Sequence, residues 1–133
     1  MVLLGSACGG AEGDASATPT PCPSATGAVD LSLLPRDVEL DRFAEIQEIV
    51  REDEYVNVAA LAETTVVELD PSLQRSLLDA GYEIIGHDNE GFEAEIFFAR
   101  DERTLGTFRL RAGPCEGHVT VRLIYTSPRI ATS

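Results

Sequence analysis

Three runs in the last third of the chain place apolar residues at every second position. In FEAEIFF, Phe92, Ala94, Ile96 and Phe98 share one side, and Glu93, Glu95 and Phe97 the other. In TFRLR, Phe108 and Leu110 oppose Arg109 and Arg111; in HVTVRLIY, Val119, Val121, Leu123 and Tyr125 oppose Thr120, Arg122 and Ile124. Period two is what a half-buried strand presents, because successive Cβ atoms leave opposite sides of the pleat. Joined around 101–105 and 113–117, the three runs predict an antiparallel meander. Its outward Glu93 and Glu95 then face outward Arg109 and Arg111, and each such pair favours the register by roughly a few tenths of a kcal/mol. Phe97 and Ile124 point the same way as these charges. Together with Arg109, Arg111 and Arg122 they form a candidate binding face.

Upstream, DPSLQRSLLDAGYEII predicts a helix over Pro71–Ala80. Asp70 can cap it, Pro71 suits the first helical position, Leu73, Leu77 and Leu78 share a face, and Gly81 ends it. Thr65 and Glu68 have capping-box spacing, which allows a preceding helical turn kinked at Pro71. Tyr82, Ile84 and Ile85 open a further strand that the Asp88–Gly91 turn folds back toward the meander. FAEIQEIVREDEYVNVAALAET fits two patterns: Ala44, Ile46, Glu48 and Val50 alternate, whereas Leu40, Phe43, Gln47 and Val50 have helical spacing. A hairpin is the preferred reading because Val56 and Val58 are strand-like. The expected fold is α+β, an antiparallel sheet in β-β-α-β-β-β order with one helix on one face.

The first thirty residues carry no such periodicity. From Gly9 to Asp30 the chain is rich in Gly, Ala, Ser, Thr and Pro, the composition of a flexible linker. That divides the chain into 1–8, a linker at 9–30, a domain at 31–129 and a tail at 130–133. Met1, Val2, Leu3 and Leu4 are too few to span a bilayer, which takes about 20 apolar residues. Followed by Gly5-Ser6-Ala7-Cys8, they resemble the end of a bacterial lipoprotein signal peptide, although Gly5 stands where Leu or Val is usual. The resemblance implies that Cys8 becomes the lipid-bearing mature N-terminus, that the true start lies upstream of Met1, and that the domain sits on the extracytoplasmic side of the cell membrane. The element order and the AGYE-like helix end likewise resemble small uncharacterised lipoproteins of high-GC Gram-positive, actinobacterial type. That likeness carries no diagnostic motif and no functional residue. With Cys8 assigned to lipid, the remaining Cys22 and Cys115 form an even pair in Pro-flanked loops, and a disulfide between them is the economical expectation in an oxidising exterior. It would stabilise the fold by up to about 4–5 kcal/mol in the chain-entropy account.

The formal charge is −13, from 23 acidic and 10 basic residues, every one of the latter Arg. Nucleic acid is an improbable partner for such a surface, since its binding rests on cations neutralising phosphates. An anionic membrane would repel it too, so membrane attachment falls to acyl chains on Cys8, of which more than one is needed. The remaining partner expected is a protein or a cell-wall component.

Signals for catalysis are sparse. His87 lies beside Asp88 and His118 near Glu116, and a serine such as Ser127 could complete a catalytic set, but nothing in the spacing ties them together. No nucleophile elbow, HExxH or phosphate-binding glycine loop occurs. Asp88, Asn89 and Glu90 are weak candidates for a cation. Their spacing is not that of a calcium loop, and tight-turn chemistry accounts for them. The two cysteines likewise suggest no metal site. The sequence therefore reads as a lipid-anchored binding or accessory module, not an enzyme, with no cofactor. The alternatives are a small hydrolase-like enzyme using His87 or His118, or a structural subunit of an envelope complex.

Overall fold

The computed structural model describes Cys22, residues 29–35 and residues 37–128. The lipidation candidate Cys8 and most of the linker lie outside these residues. Six strands form one antiparallel sheet: β1 (Glu45–Glu52), β2 (Tyr55–Ala62), β3 (Glu83–Asn89), β4 (Glu93–Ala99), β5 (Leu105–Ala112) and β6 (Val119–Thr126), in spatial order β1-β2-β6-β5-β4-β3. A single helix, α1 (Val66–Asp79), crosses from β2 to the far edge and packs on β3, β4 and β5. From β3 the chain walks back through the meander until β6 pairs with β2. This is the α+β architecture expected, with one strand more than the five of the expected order, because β3 adds to the meander.

The preferred hairpin reading holds: β1 pairs with β2 through a turn in which Asp53 takes the left-handed conformation (φ 55°). Leu40–Arg42 forms only a 3-10 turn. A bulge between Ile46 and Glu48 interrupts the alternation of β1, so that Ile49 turns toward the core and Val50 outward.

The helix starts earlier than expected. Thr65, not Asp70, is its N-cap, accepting from the Glu68 amide at 3.2 Å, and Pro71 lies inside it. Proline there removes the bond to the Val67 carbonyl. Val67 is exposed, so water can satisfy that group. The inward stripe is Val66, Leu69, Leu73 and Leu77, whereas Leu78 points to solvent. At the C-terminus Gly81 adopts φ 90°, and the amides of Tyr82 and Gly81 bond the carbonyls of Leu77 and Leu78 at 2.9 and 3.0 Å, a Schellman closure.

The core lies between α1 and the inner side of the sheet. Val56, Val58, Ile96, Phe108, Leu110, Val119, Val121 and Leu123 are fully buried there. Leu34, Val38 and Leu40, ahead of β1, join the same cluster, and the Ser76 hydroxyl ties the helix to this segment by donating to the Val38 carbonyl at 2.9 Å. Phe98 packs edge-on against Tyr82 and beside Phe108. Its ring lies so close to Gly106 that a Cβ there would come within 2.6 Å of Phe98 Cζ, so only glycine fits. Phe92 departs from expectation: it precedes β4 and is exposed, its carbonyl accepting from the Ala112 amide.

Candidate functional site

Since α1 covers one side of the sheet, the other side is the larger surface on which outward side chains are displayed. Register fixes its composition row by row. One row runs Asp88, Glu95, Arg109, Arg122, Ala59 across β3, β4, β5, β6 and β2, and the next runs Gly86, Phe97, Thr107, Ile124, Asn57, Val50. The cross-strand pairs expected from sequence form: Arg109 meets Glu95 at 2.8 Å and Arg111 meets Glu93 at 3.7 Å. Arg122 differs. Its neighbours are Arg109 on one side and Ala59 on the other, and it makes no ion pair among the described residues. Two like charges face each other there in solvent, an arrangement that weakens rather than strengthens the pairing.

Phe97 and Ile124, 39% and 38% exposed, flank Thr107 in the adjacent row. Phe97 leans over Gly86, its Cδ2 standing 3.1 Å from where a Cβ would project, so part of its ring covers bare backbone at a bulge on the edge strand. Ile124 has no such duty. All five residues of the candidate binding face therefore lie on one side of the sheet, with Arg122 and Ile124 on the same strand.

On the opposite side, one carboxylate sits under the helix. Asp70 is 2% exposed and gathers three side chains: His87 Nε2 at 2.8 Å, Asn89 Nδ2 at 2.6 Å and Gln74 Nε2 at 3.0 Å. Asp70 and Gln74 are one helical turn apart, and His87 and Asn89 are two apart on β3, so each pair shares a side of its element. The cluster joins the helix to the edge strand. It sets His87 against Asp70 and not against its sequence neighbour Asp88: adjacent strand residues point to opposite sides, and Asp88 stands outward opposite Glu95. The same parity separates the weak cation candidates, because Asn89 is inward while Asp88 is outward. Asn89 Oδ1 also accepts from the Gly91 amide at 2.7 Å, and the Glu90 amide donates to the Glu93 carbonyl, as turn chemistry requires. No hydroxyl or thiol is hydrogen-bonded to His87 among the described residues, whose ring contacts are Asp70 and Gln74.

A second clasp holds the segment before β1. Arg100 stacks 4.1 Å above the Tyr82 ring, donates to Asp37 and to the Ala80 carbonyl, and the Tyr82 hydroxyl donates to Asp37 at 3.2 Å. Burial, and then the neighbouring Asp37 charge, push the Tyr82 phenol up to about 12. In the following turn, the exposed Asp101 carboxylate accepts from the Arg103 and Thr104 amides, which holds it below its ordinary range.

The β5–β6 turn brings together residues that sequence reading kept apart. Cys115 and Cys22 stand at disulfide distance, with Cα atoms 5.2 Å apart at a sequence separation of 93. His118 lies on the same turn, and the two sulfurs and an imidazole nitrogen all fall within 4.8 Å of one another. The signal for that grouping was the Cys115-Glu116-Gly117-His118 spacing, two donors separated by two residues. His118 is not paired with the Glu116 carboxylate: its Nδ1 meets the Glu116 backbone carbonyl at 3.0 Å. Ser127 lines a hollow of about 490 Å³ with Asp37, Tyr82 and Arg100, away from both histidines.

No described helix is long and apolar enough to cross a membrane. The sequence matches no known protein-family profile and no curated protein.

Proposed function

We propose that the chain is an extracytoplasmic binding module, tethered by lipid on Cys8, that engages an acidic partner with an apolar contact through the uncovered side of its sheet. One observation carries this reading: Arg122 stands exposed between Arg109 and Ala59 with no carboxylate directly opposite, next to the row holding the half-exposed Phe97 and Ile124. In a protein of net charge −13, a cation with no ion pair among the described residues, beside exposed apolar side chains, is a place where an incoming carboxylate gains a charge-assisted bidentate bond. The apolar row supplies area to exclude water around it. The Asp70–His87 cluster is read as a structural lock, because Gln74 and Asn89 occupy the carboxylate and no nucleophile joins it among the described residues.

A photo-crosslinking residue at Thr107, between Phe97 and Ile124, tests the binding reading on living cells. It should yield a discrete adduct that Arg122→Glu suppresses, while the same group at Leu78, exposed on the helix, should not. Identical adducts from both positions, or none from Thr107, would contradict the reading. The tether has a separate test: Cys8→Ser should abolish lipid labelling and release the protein from membranes.

A further inference from the structure

We infer that Cys22, Cys115 and His118 form, in the reduced protein, a Zn²⁺ site with an open coordination position, and that the disulfide and the metal are alternative occupants of this corner. The inference is independent of the binding reading above and concerns a different part of the molecule.

Three observations converge. First, two sulfurs and an imidazole nitrogen lie within 4.8 Å of one another while the sulfurs are bonded to each other, so once that bond is reduced only small side-chain rotations are needed to bring all three to zinc–ligand distances of about 2.0–2.3 Å. Second, the tautomer of His118 is set. The Glu116 carbonyl can only accept, so the Nδ1 facing it at 3.0 Å carries the proton, and the Nε2 lone pair is left for a metal. A backbone carbonyl holding the far nitrogen is the usual outer support of a metal-bound histidine. Third, Cys115 and His118 line a hollow of about 640 Å³ with Phe92, Gly113 and Thr65, which leaves room on one side of the donors for a water or an added ligand. The turn itself is braced by the Gly113 amide on the His118 carbonyl at 2.9 Å, so two of the three donors are positioned by backbone bonds.

Two thiolates and an imidazole suit Zn²⁺, and with three protein ligands the fourth position stays open. The chemistry balances as two steps. A small-molecule or protein dithiol gives two electrons and two protons to the Cys22–Cys115 bond, becoming a disulfide itself and leaving two thiols. Zn²⁺ then displaces both thiol protons, so each ion bound releases two protons. Because only the reduced form can bind, zinc draws the thiol–disulfide equilibrium toward reduction by mass action.

The test uses the full chain carrying Cys8→Ser, so that only two thiols remain. After reduction and removal of the reductant under anaerobic conditions, Co²⁺ should bind with one-to-one stoichiometry, giving thiolate-to-cobalt charge-transfer and tetrahedral ligand-field bands. Zn²⁺ should then displace it. The oxidised chain should show neither band. His118→Ala should keep both thiols and still form the disulfide, yet bind Zn²⁺ more weakly by at least about tenfold. In a fixed dithiol/disulfide buffer, added Zn²⁺ should raise the reduced fraction of the parent chain and do so far less with His118→Ala. If reduction unfolds the domain, Zn²⁺ should restore its circular dichroism. Equal affinity in the parent and His118→Ala, equal binding by oxidised chain, or no Co²⁺ bands from the reduced chain would each overturn the site.

Discussion

The two sides of the sheet obey different rules. On the inner side β2, β4, β5 and β6 contribute buried residues at period two, and α1 together with the segment ahead of β1 seals them so thoroughly that Phe108, Leu110, Val121 and Leu123 have no exposure. The one charged residue buried there, Asp70, has a donor at each of three positions. On the outer side the rows mix paired charges, a cation facing another cation, and half-exposed apolar groups. An inner polar group without partners would cost stability, so the inner side admits Asp70 only with its full complement. The outer side is under no such demand, and the features there that do nothing for the fold are the ones to interrogate for function.

Substitutions across this divide should separate the two rules, and the largest effect falls on the inner side. Phe108→Ala should destabilise by about 3–5 kcal/mol in denaturant unfolding, whereas Phe97→Ala on the adjoining strand should cost under about 1 kcal/mol. Similar losses from both would mean the outer row is part of the core. Next in size is Asp70→Ala, expected to cost about 1–3 kcal/mol. Its effect should be strongly non-additive with His87→Ala in a double-mutant cycle, because each removes the same bond. Strict additivity would show that the cluster does not couple helix to edge strand.

Tyr82 supplies a pH-dependent comparison. Its phenol is raised in the folded chain to about 12 from an ordinary 10.0, so the folded state favours the neutral form. That contribution is complete below pH 10 and is lost as pH rises through 12, since the unfolded chain ionises first. Tyr82→Phe should flatten the fall in stability over that window and remove the last phase of the phenolate absorbance titration. Loss of amplitude near pH 10.0 instead of from the last phase would place the Tyr82 hydroxyl in water. The smallest effect belongs to Arg122→Glu, which should leave the fold as stable as before or raise its stability by about 0.2–0.5 kcal/mol, because it replaces a like-charge pair with Arg109 by an opposite-charge one. A loss instead would mean that Arg122 serves the fold.

How much of this was legible in the sequence follows from what each signal measures. The strands 93–99, 105–112 and 119–126 were readable because alternation is a local consequence of one buried side, and the Glu93–Arg111 and Glu95–Arg109 pairs followed from register. Of the two starts that the sequence offers for α1, Asp70-Pro71 has the chemistry of a helix start, yet the Thr65–Glu68 capping box is the one used. The true cap, Thr65, prevailed once Val66 and Leu69 found burial, and Asp70 then turned inward to meet a strand that is remote in sequence. The outward turn of Val50 depends on a bulge, which inserts a residue without any compositional mark. Alternation places the three arginines of the candidate face on one side of the sheet, but only register reveals that two are matched by glutamates while Arg122 is not. The Cys22–Cys115 proximity was anticipated. His118 joining it was not, because the Cys-x-x-His spacing was passed over in favour of disulfide arithmetic.

The central claim, that the outer side is kept free for a partner, can be tested by hydroxyl-radical footprinting of the purified chain and of the same chain in intact cell envelopes. Phe97 and Ile124 should be labelled in the purified protein and protected in the envelope, while Leu78, 56% exposed on the helix, should be labelled equally in both. Equal labelling of Phe97 and Ile124 in the two settings, or protection of Leu78 to the same degree, would contradict it.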